Sequence, residues 1–91
     1  MEMAQIEVVM LDSETFKVLV KAKPRTVHIV TLKDAYYQKL TGWKVTPETL
    51  IEKSFEFLLE RESNTSILSQ FELPVIGRYF PEYEKVVVKR F

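Results

Sequence analysis

Apolar and polar residues alternate along the first third of the chain. Residues 5–11 are rich in β-branched side chains, with Ile6, Val8 and Met10 on one face. Beyond the polar cluster Asp12-Ser13-Glu14-Thr15, Phe16, Val18, Val20 and Ala22 alternate with Lys17, Leu19, Lys21 and Lys23. A period of two is that of a strand with one wet face. Lys23-Pro24-Arg25 interrupts it, because proline cannot donate to a ladder and favours a turn. The pattern resumes over residues 26–32. Three strands, about 5–11, 16–22 and 26–32, with two short polar connections, predict an antiparallel meander.

The period then changes to that of a helix. Thr31 and Asp34 stand at capping-box spacing, and Leu32, Ala35, Tyr36 and Leu40 follow, giving a helix over about 32–41. Gly42 can end it in the left-handed conformation. Thr46 reads as an N-cap, Pro47 as the first helical residue and Glu48 as an acid at the positive end of the dipole. Val45 and Leu50 stand at the spacing of a hydrophobic staple. Leu50, Ile51, Phe55, Leu58 and Leu59 supply the apolar face of this helix, about 47–62, and Phe55 and Leu58 are expected to face Val18 and Val20. Residues 63–66 read as a linker. Pro74 and Pro81 each suit the first position of a short helix, about 74–80 and 81–89. The run Val86-Val87-Val88 favours a strand by propensity, but Glu82, Tyr83 and Glu84 suit a first helical turn, and helix is the expectation. The fold class is α+β: one domain over residues 1–91, a three-stranded antiparallel meander packed against C-terminal helices.

Composition removes several functions. The 91 residues hold no cysteine and one histidine, which excludes disulfides, thiolate catalysis and Cys- or His-rich metal sites. Two isolated glycines, Gly42 and Gly77, cannot write a phosphate-binding loop. The nucleophile-elbow motif is absent from the sequence. No stretch approaches the 18 or more apolar residues of a membrane span, and no signal peptide is visible, so the expectation is a cytoplasmic protein off the membrane. His28 lies mid-strand with no acid beside it in sequence and reads as an ordinary strand-face histidine. Asp12 and Glu14 are too few to hold a calcium ion and read as turn chemistry. Asn64-Thr65-Ser66 matches a glycosylation sequon only formally. No catalytic residue, cofactor or metal is assigned.

Charge is balanced, thirteen basic against thirteen acidic residues, but unevenly placed. Lys17, Lys21, Lys23, Arg25 and Lys33 fall in a stretch without an acid. Glu48, Glu52, Glu56 and Glu60 recur every four residues, a ridge that drifts about 40° per step around the helix. Like charges at that spacing repel by about 0.2–0.5 kcal/mol per pair, and only Lys53 offers local relief. Such a ridge suits a basic partner surface or the lysine face of a second copy. Trp43, Tyr79, Phe80 and Tyr83 lie beside caps or prolines, with Arg61 and Arg78 close in sequence, the residue types that dominate binding hot spots. The candidate interaction face is therefore Glu48, Glu52, Glu56, Glu60, Trp43, Arg61, Arg78 and Tyr83. The expected function is a small non-catalytic protein-interaction or regulatory module, binding an unidentified protein or itself. Nucleic-acid binding on the Lys17–Lys33 sheet face is the alternative, weakened by zero net charge and by the lack of aromatics among those lysines. An enzyme or enzyme subunit comes third.

Residues 54–62, Ser66-Ile67-Leu68, Phe71-Glu72-Leu73, Val75-Ile76 and above all Tyr79-Phe80-Pro81-Glu82-Tyr83 resemble a family of short uncharacterised bacterial proteins. The likeness covers about residues 26–85, including Thr46-Pro47-Glu48, and the Val86-Val87-Val88 ending departs from it. It implies a single small domain, and brings no activity, cofactor or catalytic residue with it.

Overall fold

The computed structural model describes residues 5–91. Strands β1 (Gln5–Met10), β2 (Thr15–Lys21) and β3 (Thr26–Thr31) pair antiparallel as the alternation predicts. The register aligns Val8, Val18 and His28 in one cross-strand row, and Met10, Phe16 and Val30 in another. The first turn is an Asx turn: the Glu14 N–H donates to Asp12 Oδ1 at 2.9 Å, which holds the Asp12 carboxyl below its ordinary value. The Lys23–Pro24 peptide in the second turn is cis.

The sheet has a fourth strand that corrects the three-stranded expectation. Strand β4 (Gln70–Glu72) adds parallel to β3, with Phe71 opposite Val30. Its ladder extends beyond both ends, Ile29 N–H to Ser69 O at 2.8 Å and Leu73 N–H to Thr31 O at 2.9 Å. Three residues show no period, so the strand exists through its long-range partner and not through its own pattern.

Helix α1 (Asp34–Thr41) begins later than the sequence predicts, because Thr31 is held in β3 and cannot cap it. Lys33 precedes the helix without a side-chain cap. Gly42 closes it at φ 58°, its N–H reaching Gln38 O at 2.8 Å. Helix α2 (Pro47–Leu59) starts where expected, and the Thr49 N–H donates to Thr46 Oγ1 at 3.1 Å. It ends three residues short of 62, although the N–H groups of Arg61 and Glu62 still reach Leu58 O, both at 2.9 Å. The supposed linker is a 3₁₀ turn, Asn64–Ser66, capped by the Ser63 hydroxyl. Helices α3 (Val75–Tyr79) and α4 (Tyr83–Val87) follow, and a 3₁₀ turn, Val88–Arg90, ends the chain as helix and not strand. Pro74 and Pro81 precede these helices instead of opening them.

Alternate residues Phe16, Val18 and Val20 are fully buried, together with Leu50, Ile51, Phe55 and Leu58 of α2. All belong to one apolar cluster, which Leu73, Ile76, Tyr83 and Val87 complete. The opposite face of the sheet keeps Val27 exposed and Lys17, Leu19 and Ile29 half-buried. The Cα radius of gyration, 12.2 Å, is that of a compact chain of this length.

Candidate functional site

Of the eight residues predicted from sequence, seven are exposed or half-buried and one, Tyr83, is buried. Trp43 precedes α2 and Arg61 follows it, so a 13-residue helix, about 20 Å, lies between them. Trp43 takes a left-handed backbone at φ 67°, is 56% exposed, and meets Tyr37 edge-on at 5.0 Å between ring centroids. Tyr37 is itself tied down by its hydroxyl, which donates to the Val45 carbonyl. Arg78 is exposed on α3.

Tyr83 is a core residue, a correction to its place on an interaction face. It is wholly buried, its ring against Phe57 at 5.4 Å and its hydroxyl 2.6 Å from Ser54 Oγ. Ser54 in turn donates to Leu50 O at 2.7 Å, so the two hydroxyls satisfy each other inside the core. Burial pushes the Tyr83 phenol well above its usual range. Proline-adjacent position suggested a surface side chain; the partner that buries it lies 29 residues away.

Arg61 is occupied within the fold. Its guanidinium sits 3.6 Å above the Phe57 ring centroid, Nη1 donates to Phe57 O at 3.2 Å, and Nε pairs with Glu82 at 3.3 Å. These contacts fasten the start of α4 to the end of α2. The acidic ridge is likewise divided. Glu56 pairs with Lys53 at 3.5 Å, while Glu60 accepts from Arg90 at 2.6 Å and from Arg61 at 3.3 Å. The Arg90 hydrogen bond above all holds the Glu60 carboxyl below its ordinary value. Glu48 is half-buried and Glu52 exposed, and neither has an ion pair among the described residues.

His28 is buried and structural. Nδ1 lies 2.7 Å from Leu68 O, which can only accept, so that nitrogen carries the proton. Nε2 lies 2.8 Å from Thr26 Oγ1, and that oxygen accepts from Asn64 Nδ2 at 2.8 Å. The same Asn64 amide reaches Pro24 O at 2.8 Å. This chain of bonds ties the 64–69 segment to β3 and its preceding turn, and places the sequon asparagine inside the protein. The basic residues of the 17–33 stretch are partly matched as well: Lys21, in β2, pairs with Glu7 at 3.2 Å, and Lys33, which lies beyond the sheet, with Glu72 at 3.4 Å. Val9 and Ile29 flank Lys17 across the register. Among the described residues no group of three or more His, Cys, Asp or Glu side chains could hold a metal ion. No helix there is long and apolar enough to cross a membrane.

Two hollows remain. One, of about 300 Å³, is lined by Thr31, Lys33, Ala35, Tyr36, Lys39, Glu72 and Pro74. None of these residues is buried, and its charges are matched: Lys33 with Glu72, and Lys39 with Glu84 at 3.6 Å. The other reaches the core. It has a volume of about 180 Å³ between the end of α2, the 64–69 segment, β4 and α3. Leu58, Ile67, Phe71 and Ile76 form its buried wall. At its rim Leu68 is 47% and Tyr79 68% exposed. One carboxylate, Glu62, enters it. Apolar concavities with few polar groups are the usual form of a binding site.

Sequence reasoning missed Glu62, yet a signal was present. Glu62 is four residues past Leu58 and seven past Phe55, which puts a carboxylate on the apolar stripe and off the acidic ridge. Burial raises the Glu62 carboxyl above its ordinary value, with no opposing charge. Comparison of the chain with protein families, curated proteins and solved structures returned no match.

Proposed function

We propose that the protein is a small non-catalytic interaction module that holds a partner protein at the hollow beside α3. The observation that carries this reading is the uncovered apolar rim of Leu68 and Tyr79 around a wall of buried Leu58, Ile67, Phe71 and Ile76. An exposed tyrosine beside an apolar concavity has the anatomy of a protein-binding hot spot. Chemistry at the hollow is disfavoured because Glu62 is the only acidic or basic side chain among the described residues of its lining, while both ring nitrogens of His28 are held elsewhere. Nucleic acid is disfavoured because Lys21 and Lys33 already pair with acids and the sheet face carries Val9, Leu19, Val27 and Ile29 among its lysines.

The test compares the tagged chain with its Leu68→Glu, Tyr79→Glu double variant as baits in an extract of the native cells. Both side chains are exposed, so the variant keeps the fold. The reading expects a protein retained in near-stoichiometric amount by the parent and lost from the variant. Identical sets of proteins on the two baits overturn it. Sedimentation of the purified chain separately reports whether the partner is a second copy.

A further inference from the structure

The α3 hollow is too small for a cofactor and carries an unmatched charge, and both facts restrict what enters it. Its volume of about 180 Å³ is close to that of cavities that take a single benzene ring, about 150 Å³, and well short of the 300–1,000 Å³ of small-molecule sites. One side chain fills it. The Glu62 carboxylate has neither a hydrogen bond nor an ion pair among the described residues, and Arg61 beside it is turned to Phe57, Glu60 and Glu82. No basic side chain among the described residues lines the hollow. A neutral anchor seated there would bury Glu62 further without compensation, whereas a cation beside the anchor would match it. An acid beside the anchor would be repelled. The exposed Leu68 and Tyr79 extend apolar surface beyond the volume that one ring fills, which calls for flanking residues on the incoming group.

We propose that this hollow receives a partner-protein segment in which one aromatic or branched apolar side chain adjoins a lysine or arginine, the anchor filling the cavity and the cation pairing with Glu62. This rests on the interaction-module reading and adds the chemistry of the partner to it. Burial of Glu62 in the free protein agrees with it, since a carboxylate raised by desolvation alone is relieved when a cation arrives.

The experiment is a nuclear magnetic resonance titration of the full chain with capped tetrapeptides of sequence Ala-Phe-Lys-Ala, Ala-Phe-Glu-Ala and Ala-Ala-Lys-Ala, and with phenethylamine. The Phe-Lys peptide is expected to shift the methyl resonances of Ile67 and Ile76 and to bind about fivefold tighter than the Phe-Glu peptide, the scale of one rim ion pair. In Glu62→Gln that preference disappears while the need for Phe stays. Glu62→Gln melts no lower than the parent, because it removes a half-buried charge without a partner, so lost preference is not lost fold. Equal binding of the Phe-Lys and Phe-Glu peptides overturns the role of Glu62, and absence of shifts with every peptide overturns the anchor. Phenethylamine binding as tightly as the Phe-Lys peptide overturns the assignment to a protein segment. If the double variant loses its partner but no lysine preference is found, the module reading stands and this inference alone fails.

Discussion

Removing the Tyr83 hydroxyl tests how the C-terminal helices are fastened to the rest. Tyr83 and Ser54 are both at 0% exposure, and their hydroxyls are 2.6 Å apart. Because Ser54 donates its proton to Leu50 O at 2.7 Å, it is the acceptor of the Tyr83 hydroxyl. Tyr83→Phe deletes one neutral buried bond and leaves Ser54 its donor bond, a loss of about 0.5–1.5 kcal/mol. Ser54→Ala strands the phenolic donor in the core, about 1–3 kcal/mol, reduced by up to about 0.5 kcal/mol because alanine is the better helix former. The double variant has no stranded group, so it should be more stable than the sum of the single losses predicts, by about 1 kcal/mol. For a domain of this size 1 kcal/mol moves the melting midpoint by about 4–8 °C, well within reach of circular dichroism. Strict additivity of the two losses would refute the pairing. So would a Tyr83→Phe variant as stable as the parent.

Three further outcomes follow from the same contacts. Gly42→Ala should lose about 1–2 kcal/mol in a melt, from the left-handed backbone at φ 58° alone, since an added Cβ there meets nothing within 4 Å; an unchanged midpoint would show that the turn can rearrange. Glu60 is held below its ordinary value of 4.5 in the folded chain, so its bond with Arg90 stabilises above that value and is lost as pH falls through the lower, folded one. Arg90→Ala should therefore lower the melting midpoint near neutral pH and much less in acid, and an equal loss at both would contradict the pair. Glu52→Lys should raise the melting midpoint at low salt, by a stability gain of about 0.4–1 kcal/mol for each repulsive neighbour, Glu48 and Glu56, that becomes attractive, with the gain vanishing in high salt.

What the sequence disclosed and what it withheld divide by range. The meander was legible because Phe16, Val18 and Val20 alternate with Lys17, Leu19 and Lys21, a local signal that pairing only confirms. Helix α2 was legible from Thr46 and Pro47, which act on their own turn. By contrast, β4 is three residues whose strand character comes wholly from β3, whose paired residues lie 41 positions earlier in the chain. Tyr83 looked superficial beside Pro81 because Ser54, which takes its proton, lies on another helix. The glutamate ridge looked continuous because Arg90, which claims Glu60, comes from the chain's end. Glu62 was hidden for a different reason: its off-ridge spacing is local, but its significance depends on walls supplied by β4 and α3.

The most direct test of binding at the α3 hollow is photo-crosslinking in living cells from three exposed positions. A photoreactive amino acid is placed at Tyr79 on the rim, at Glu52 on the acidic ridge, or at Val27 on the sheet face, all three surface sites. The account predicts a discrete adduct from position 79, lost when Leu68→Glu is added, and none from positions 52 and 27. An adduct from position 52 or 27 with none from 79 would contradict it and move the interface to the ridge or the sheet.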